Sequence, residues 1–269
     1  MLKVFFFYAG CKGHNVSLKT REIEEQKTVK LEHKSVLILD YSVDRKETQV
    51  IRKGLSDKGV KVSSFFIDTA ASFPNDMIQQ DFTHIIHTGS ALSINEEAPF
   101  TAKAVDYIRA AQAKGLWQMG ICYGHQLVCK ALVGDQAVRS SPNGFEVGWG
   151  KVFFSEVGKE LLGVGEEEKV WQHHFDEVTE LLQGSQLLAS NAHSEVQAYV
   201  NFEAQILGAQ FHPEFNRTDG NDYFLQDRKF ISKNNIDVDA LVLEGPTFDT
   251  VNVFFDFFLE QEVKKLVAK

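Results

Sequence analysis

The chain has 269 residues and a formal charge of −9, from 28 Lys and Arg against 37 Asp and Glu. That acidic balance argues against general affinity for nucleic acid or an anionic membrane, both of which need clustered Lys and Arg to neutralise phosphates. Three cysteines, Cys11, Cys122 and Cys129, form no disulfide framework and point to a reducing compartment, the cytoplasm.

Residues 1–34 open with an aromatic-rich run, Val4 to Tyr8, and continue into a charged stretch from Ser17 to Lys34. The apolar segment before Cys11 is at the short limit of a signal core, roughly 7 to 15 residues, so it reads as a strand. No other run approaches the length of a membrane span. The expectation for 1–34 is an N-terminal extension packed on the rim of a single domain spanning 35–269.

Ser35 to Asp40 is a short apolar run of the kind that becomes a buried parallel strand. Arg45 to Lys58 predicts a helix capped by Gly59, and Val60 to Ile67 the next strand. Phe82 to His87 is a third strand, ending at Thr88-Gly89-Ser90, and Phe100 to Lys114 a helix stopped by Gly115. Strands alternating with helices at this spacing predict an α/β fold with an open, mostly parallel sheet, helices on both faces in the flavodoxin-like manner, and ligands bound beyond the strand C-termini. From Gly134 to about residue 211 the turn spacing predicts a largely antiparallel β portion, with runs at Lys169 to His174, Gln186 to Ser190, Val196 to Val200 and Gln205 to Phe211. Asp219 to Asn235 reads as a polar helix, and Pro246 to Leu266 as an amphipathic one whose Phe stripe belongs to the core.

Gly120-Ile121-Cys122-Tyr123-Gly124-His125-Gln126 stands between an apolar run and a helical one, so Cys122 falls where a strand turns into a helix. Unpaired N–H groups at a helix N-terminus favour a thiolate, and flanking glycines let backbone and substrate approach closely. About ninety positions later comes Gln210-Phe211-His212-Pro213-Glu214. Gly120, Cys122, Gly124 and Gln126 fill the G-x-C-x-G-x-Q motif of the class I, triad-type glutamine amidotransferases, and His212-Pro213-Glu214 resembles that family's second motif. The segment Asn143-Gly144-Phe145-Glu146-Val147-Gly148-Trp149 is similar to stand-alone members akin to the glutaminase domain of GMP synthase.

The resemblance implies a nucleophile at Cys122, a base at His212 and an orienting carboxylate at Glu214. It also implies an oxyanion hole from backbone N–H groups of Gly89 or Ser90 and of Tyr123, and a substrate contact at Gln126. Glutamine or another γ-glutamyl compound is the implied substrate. No cofactor is implied, and with no P-loop or dinucleotide fingerprint in the chain, either a separate synthase subunit docks here or the protein releases ammonia or acts on another γ-glutamyl compound. The competing readings are a γ-glutamyl peptide hydrolase with the same triad and a non-catalytic binding protein on this scaffold.

The plainer assignments are these. Cys129 lies on the helix's apolar side and packs, His125 is structural, and Gln126 is evenly balanced between substrate contact and early helix residue. His84 and His87 pack, and His193 sits in a polar turn. His173, His174 and Asp176 suggest metal at first sight, but adjacent strand residues point to opposite faces, so metal is disfavoured there. His174 and Asp176 match a His-x-Asp segment of relatives, with a structural or rim role expected.

Overall fold

The computed structural model describes residues 31, 33–68 and 81–263. In chain order the strands are β1 (Ser35–Asp40), β2 (Lys61–Phe66), β3 (His84–His87), β4 (Trp117–Ile121), β5 (Val138–Ser140), β6 (Glu146–Phe154), β7 (Glu167–His174), β8 (Asp176–Val178), β9 (Gln186–Ser190), β10 (Ala198–Asn201) and β11 (Ile206–Ala209). The helices are α1 (Lys46–Leu55), α2 (Thr101–Ala113), α3 (Tyr123–Leu132), α4 (Glu156–Leu162), α5 (Arg217–Gln226), α6 (Arg228–Lys233), α7 (Val238–Leu241) and α8 (Thr250–Glu260).

Among the described residues, one nine-stranded sheet runs β2-β1-β3-β4-β11-β10-β9-β6-β7, and β5 pairs with β8 apart from it. The first five strands are mutually parallel and the rest antiparallel. β1 is apolar along most of its length because both its faces are covered: Leu37 and Leu39 face one core with α2 and α3, Val36 and Ile38 the other with α1 and α8. β2, at the edge, carries Lys61, Ser63 and Ser64 exposed, as an edge strand can. A third core, with Trp149, Trp171, Phe215 and Phe224, seats α5 to α7 on the antiparallel half.

The arrangement that matters most is β11 beside β4. These strands are distant in sequence yet parallel neighbours, with Ala209 opposite Ile121, and Cys122 N–H donates to Ala209 O at 2.8 Å. The next residue out of each strand therefore emerges at one sheet edge, together with the loop that follows β3.

Two expectations need correction. The polar helix over 219–235 is two helices, α5 and α6, broken at Asp227, whose φ of −92° and ψ of 10° leave the helical region. The final helix is shorter than 246–266: Asp249 caps its start by accepting from Asn252 N–H, and Gln261 is extended. Its Phe stripe does enter the core through Phe254, Phe255 and Phe258. The strand expected near residues 4–8 lies outside the described residues, as does Cys11. Leu31 joins the α1/α8 core, and the buried Lys34 ammonium donates to Gln261 O at 2.7 Å.

Candidate active site

Cys122 caps α3 with φ 49° and ψ −107°, a conformation that a non-glycine residue holds only at a cost of about 1–3 kcal/mol. That sharp turn lifts the sulfur out of the strand line and aims it across the sheet edge. Gly124 makes the turn sterically feasible, because a Cβ there would lie 2.1 Å from His87 O.

His212 leaves β11 through Gln210 and Phe211, and its backbone N–H donates to Trp171 O at 3.0 Å. Trp171 packs edge-on against the imidazole at 4.9 Å between centroids. His212 Nδ1 lies 2.7 Å from Glu214 Oε1 with both side chains buried, which leaves Nε2 as the nitrogen able to exchange a proton. Burial alone would depress this imidazole. The Glu214 carboxylate and the adjacent Cys122 sulfur outweigh it and hold the pKa well above the usual value. The three sequence-predicted side chains thus converge.

Cys122, Tyr123, Gln126, Ser90 and His212 line one cavity of about 570 Å³, walled farther out by Trp171, His173, Phe175, Tyr223 and Phe230. Gly89 sits against the imidazole: a Cβ there would be 2.7 Å from His212 Cε1. The Tyr123 ring turns inward onto Tyr41, and burial pushes its phenol up to about 12. What Tyr123 offers the cavity is its place at the start of α3. Gln126 commits its amide nitrogen to Asp176 O at 2.8 Å and to Gln210 Oε1 at 3.1 Å, so only its carbonyl oxygen remains for a ligand.

Two contributors go beyond what the sequence revealed. Asp176, expected to be structural, gathers Ser93 Oγ, Ile94 N–H, Asn95 Nδ2 and Ser140 Oγ at 2.6–3.0 Å, which pins the loop after β3 beside the elbow. Glu47, in the first turn of α1, brings a second carboxyl to the imidazole: a carboxylate oxygen lies within 4.8 Å of the ligand atoms of His212 and Glu214. Burial lifts the Glu47 pKa from 4.5 to about 8, against the attraction of His212 and with repulsion from Glu214, Asp40 and Asp44. No local pattern marks it, since an acidic residue in a helix's first turn is ordinary.

The remaining candidates behave as core groups. Cys129 Sγ lies 3.3 Å from Tyr199 Oη, and burial pushes its thiol up to about 12. His125 is fully buried and depressed to about 3, and His87, held by Tyr41 and Gln118, to about 4. His84 bridges Thr83 Oγ1 and Phe258 O. His173 and His174 do diverge, the first to Asp227 Oδ2 at 2.9 Å and the second to Glu146 Oε2 at 2.9 Å.

A sequence model of the family described as "Glutamine amidotransferase class-I" matches residues 38–231. A GMP synthase (glutamine-hydrolyzing) subunit from Sulfurisphaera tokodaii is 37% identical over 143 residues, 53% of this chain and 72% of that protein. Its counterpart from Sulfolobus acidocaldarius is 31% identical over 155 residues, 57% of this chain and 79% of that protein. Among solved structures, a glutamine amidotransferase from Thermotoga maritima superposes with a TM-score of 0.72 over 85% of this chain and 99% of its own, at 18% identity, a likeness of fold. With the fold, both motifs and these matches in agreement, the chain belongs to the class I glutamine amidotransferases.

Proposed function

We propose that this chain hydrolyses the side-chain amide of glutamine through a γ-glutamyl thioester on Cys122. The observation that carries the reading is the Cys122–His212–Glu214 convergence at the mouth of a cavity. A free thiol with a pKa near about 8.5 is only slightly ionised at neutral pH, and a charged imidazole beside it shifts that balance toward thiolate.

In this mechanism Cys122 Sγ attacks the γ-carbonyl carbon, and the carbonyl electrons move to oxygen. Backbone N–H groups of Gly89 or Ser90 and of Tyr123 receive that negative charge, each donor worth on the order of 3 kcal/mol in the barrier. His212 Nε2 gives its proton to the departing nitrogen, and ammonia leaves. Water, deprotonated by His212, then attacks the thioester carbon, and the sulfur departs as glutamate forms. Glu214 holds the ring in one tautomer and offsets its charge. Gln126 presents its carbonyl oxygen to the substrate, and Glu47 backs the imidazole from the side of Gly89.

The relatives named as GMP synthase subunits support a partner synthase, separate from this chain, that consumes the ammonia. Among the described residues no helix is long and apolar enough to cross a membrane. One observation favours a second reading: a cavity of about 570 Å³ lies within the roughly 300–1,000 Å³ that accommodates drug-sized ligands. It has room for a γ-glutamyl peptide whose leaving amine rests against Phe175 and Phe230.

Purified protein offered glutamine and a panel of γ-glutamyl peptides, with Cys122→Ala as control, tests both. Ammonia from glutamine, lost in the variant, supports the first reading, and faster release of an amino acid from a peptide supports the second. No turnover of either, together with no labelling of Cys122 by an electrophilic glutamine analogue, overturns both.

A further inference from the structure

We propose that Glu146, His174 and His193 form a divalent-cation site, with zinc the ion their donor set fits best. The three residues come from β6, the end of β7 and the loop after β9, and their ligand atoms all lie within 4.8 Å of one another.

The hydrogen-bond partners of the two rings fix where their protons sit. His174 Nδ1 faces Asp176 O at 3.1 Å, an acceptor only, so Nδ1 carries the hydrogen and a neutral ring turns the Nε2 lone pair the other way. That Nε2 lies 2.9 Å from Glu146 Oε2 in a fully buried setting, yet without the alignment of a hydrogen bond. His193 repeats the pattern. Its Nε2 faces Gly144 O at 3.2 Å and must donate, leaving Nδ1 toward Glu146 Oε2 at 3.4 Å. Ser194 Oγ, 3.1 Å from the same Nδ1, cannot supply a proton because its hydroxyl donates to Glu177 Oε2 at 2.8 Å.

Two imidazole nitrogens thus stand beside one carboxylate, at 2.9 and 3.4 Å. Either two added protons or one cation resolves this, and the outer contacts favour the cation. A metal-ligating histidine characteristically donates its other N–H to a backbone carbonyl, as both rings do here. The carboxylate is oriented in turn by Asn191 Nδ2 at 2.6 Å and Gln197 Nε2 at 3.0 Å. Zinc at about 2.0–2.2 Å from each ligand implies tetrahedral ligand separations of roughly 3.3 Å. The observed nitrogen-to-oxygen separations of 2.9 and 3.4 Å bracket that value. Two imidazoles and one carboxylate leave a fourth position for water. A bound ion clips the loop at Asn191 to Ser194 onto β6 and β7 and stiffens the cavity wall at His174.

The test uses the full chain carrying Cys122→Ala, so that the reactive thiol cannot compete for metal. Chelator-treated protein is titrated with zinc chloride, and bound zinc and melting temperature are measured. One zinc per chain is expected, with a rise in Tm of roughly 5–10 °C at a hundredfold excess over Kd. Adding His193→Ala or Glu146→Gln weakens binding by more than the roughly 10–100-fold that loss of an outer partner costs. Two variants guard against one failing to fold. Zinc binding and Tm that are unchanged by both substitutions, or no stoichiometric zinc in the parent, overturns the proposal.

Discussion

The helix α3 carries two buried thiols, Cys122 at its N-cap and Cys129 two turns on, only 4% and 2% exposed, in contrasting surroundings. Cys122 stands at the helix N-terminus in a strained conformation, beside an imidazole whose pKa is raised. Cys129, two turns on, has a tyrosine hydroxyl and apolar side chains for company, and its thiol is pushed up to about 12. Burial is common to both, so burial is not what separates them. The difference is a cation that is itself held in place by a carboxylate, delivered by the strand next door.

The same contrast separates the histidines. His212 is as buried as His87 and His125, yet of the three only it faces a carboxylate, and only it is raised while they fall to about 4 and about 3. Pairing decides the sign of the shift, because a nearby negative charge repays the desolvation of the charged ring.

The sharpest way to break this comparison is Cys122→Ala, expected to lower glutamine hydrolysis by about 10⁴-fold or more, as removal of a nucleophile does. Steady-state ammonia release checks it, and residual turnover near the parent rate would move the chemistry elsewhere. Glu214→Gln keeps the shape but removes the charge that holds the imidazole high, with an expected loss of roughly 10²–10⁴-fold in kcat. The rate at which iodoacetamide labels Cys122 at neutral pH should fall with it.

Glu47→Gln sharpens the electrostatic half of the comparison. Its folded pKa of about 8 exceeds the ordinary 4.5, so the folded chain binds a proton that the unfolded chain releases between those values. Stability from this group is full below about 4.5 and is lost as pH rises toward 8. The variant should therefore gain melting temperature relative to the parent between pH 5 and pH 8.5, by the equivalent of a few kcal/mol. A parallel pair of Tm-against-pH curves would remove Glu47 from the cluster. The smallest effect is expected from Cys129→Ala, with turnover unchanged within about twofold and stability lower by about 1 kcal/mol in denaturant melts. A large loss of turnover there would erase the distinction between the two thiols.

Much of the site was legible because it is written in contiguous residues. Gly120 to Gln126 and His212 to Glu214 each place their groups through local backbone geometry, and a strand-to-helix turn or a strand exit has the same meaning wherever it occurs. Glu47, the reach of Asp176 and the Glu146–His174–His193 cluster were not legible, because each takes its character from partners far off in the chain. Metal was disfavoured from the divergence of His173 and His174. That divergence holds, but it says nothing of what reaches His174 from β6 and the loop after β9.

Residue order alone determined the alternation of strands and helices, the elbow at Cys122 and the pairing of motifs that belongs to this family. Tertiary structure decided the rest: that β11 lies parallel to β4 and so brings His212 to Cys122, that Glu47 turns its carboxyl toward the same ring, and which buried histidines face a carboxylate. The physical reason is range. Backbone geometry and hydrophobic period are local and repeat along a chain, whereas the field at a buried ionisable group is set by whichever side chains the fold brings within a few ångströms, however far apart they stand in the sequence.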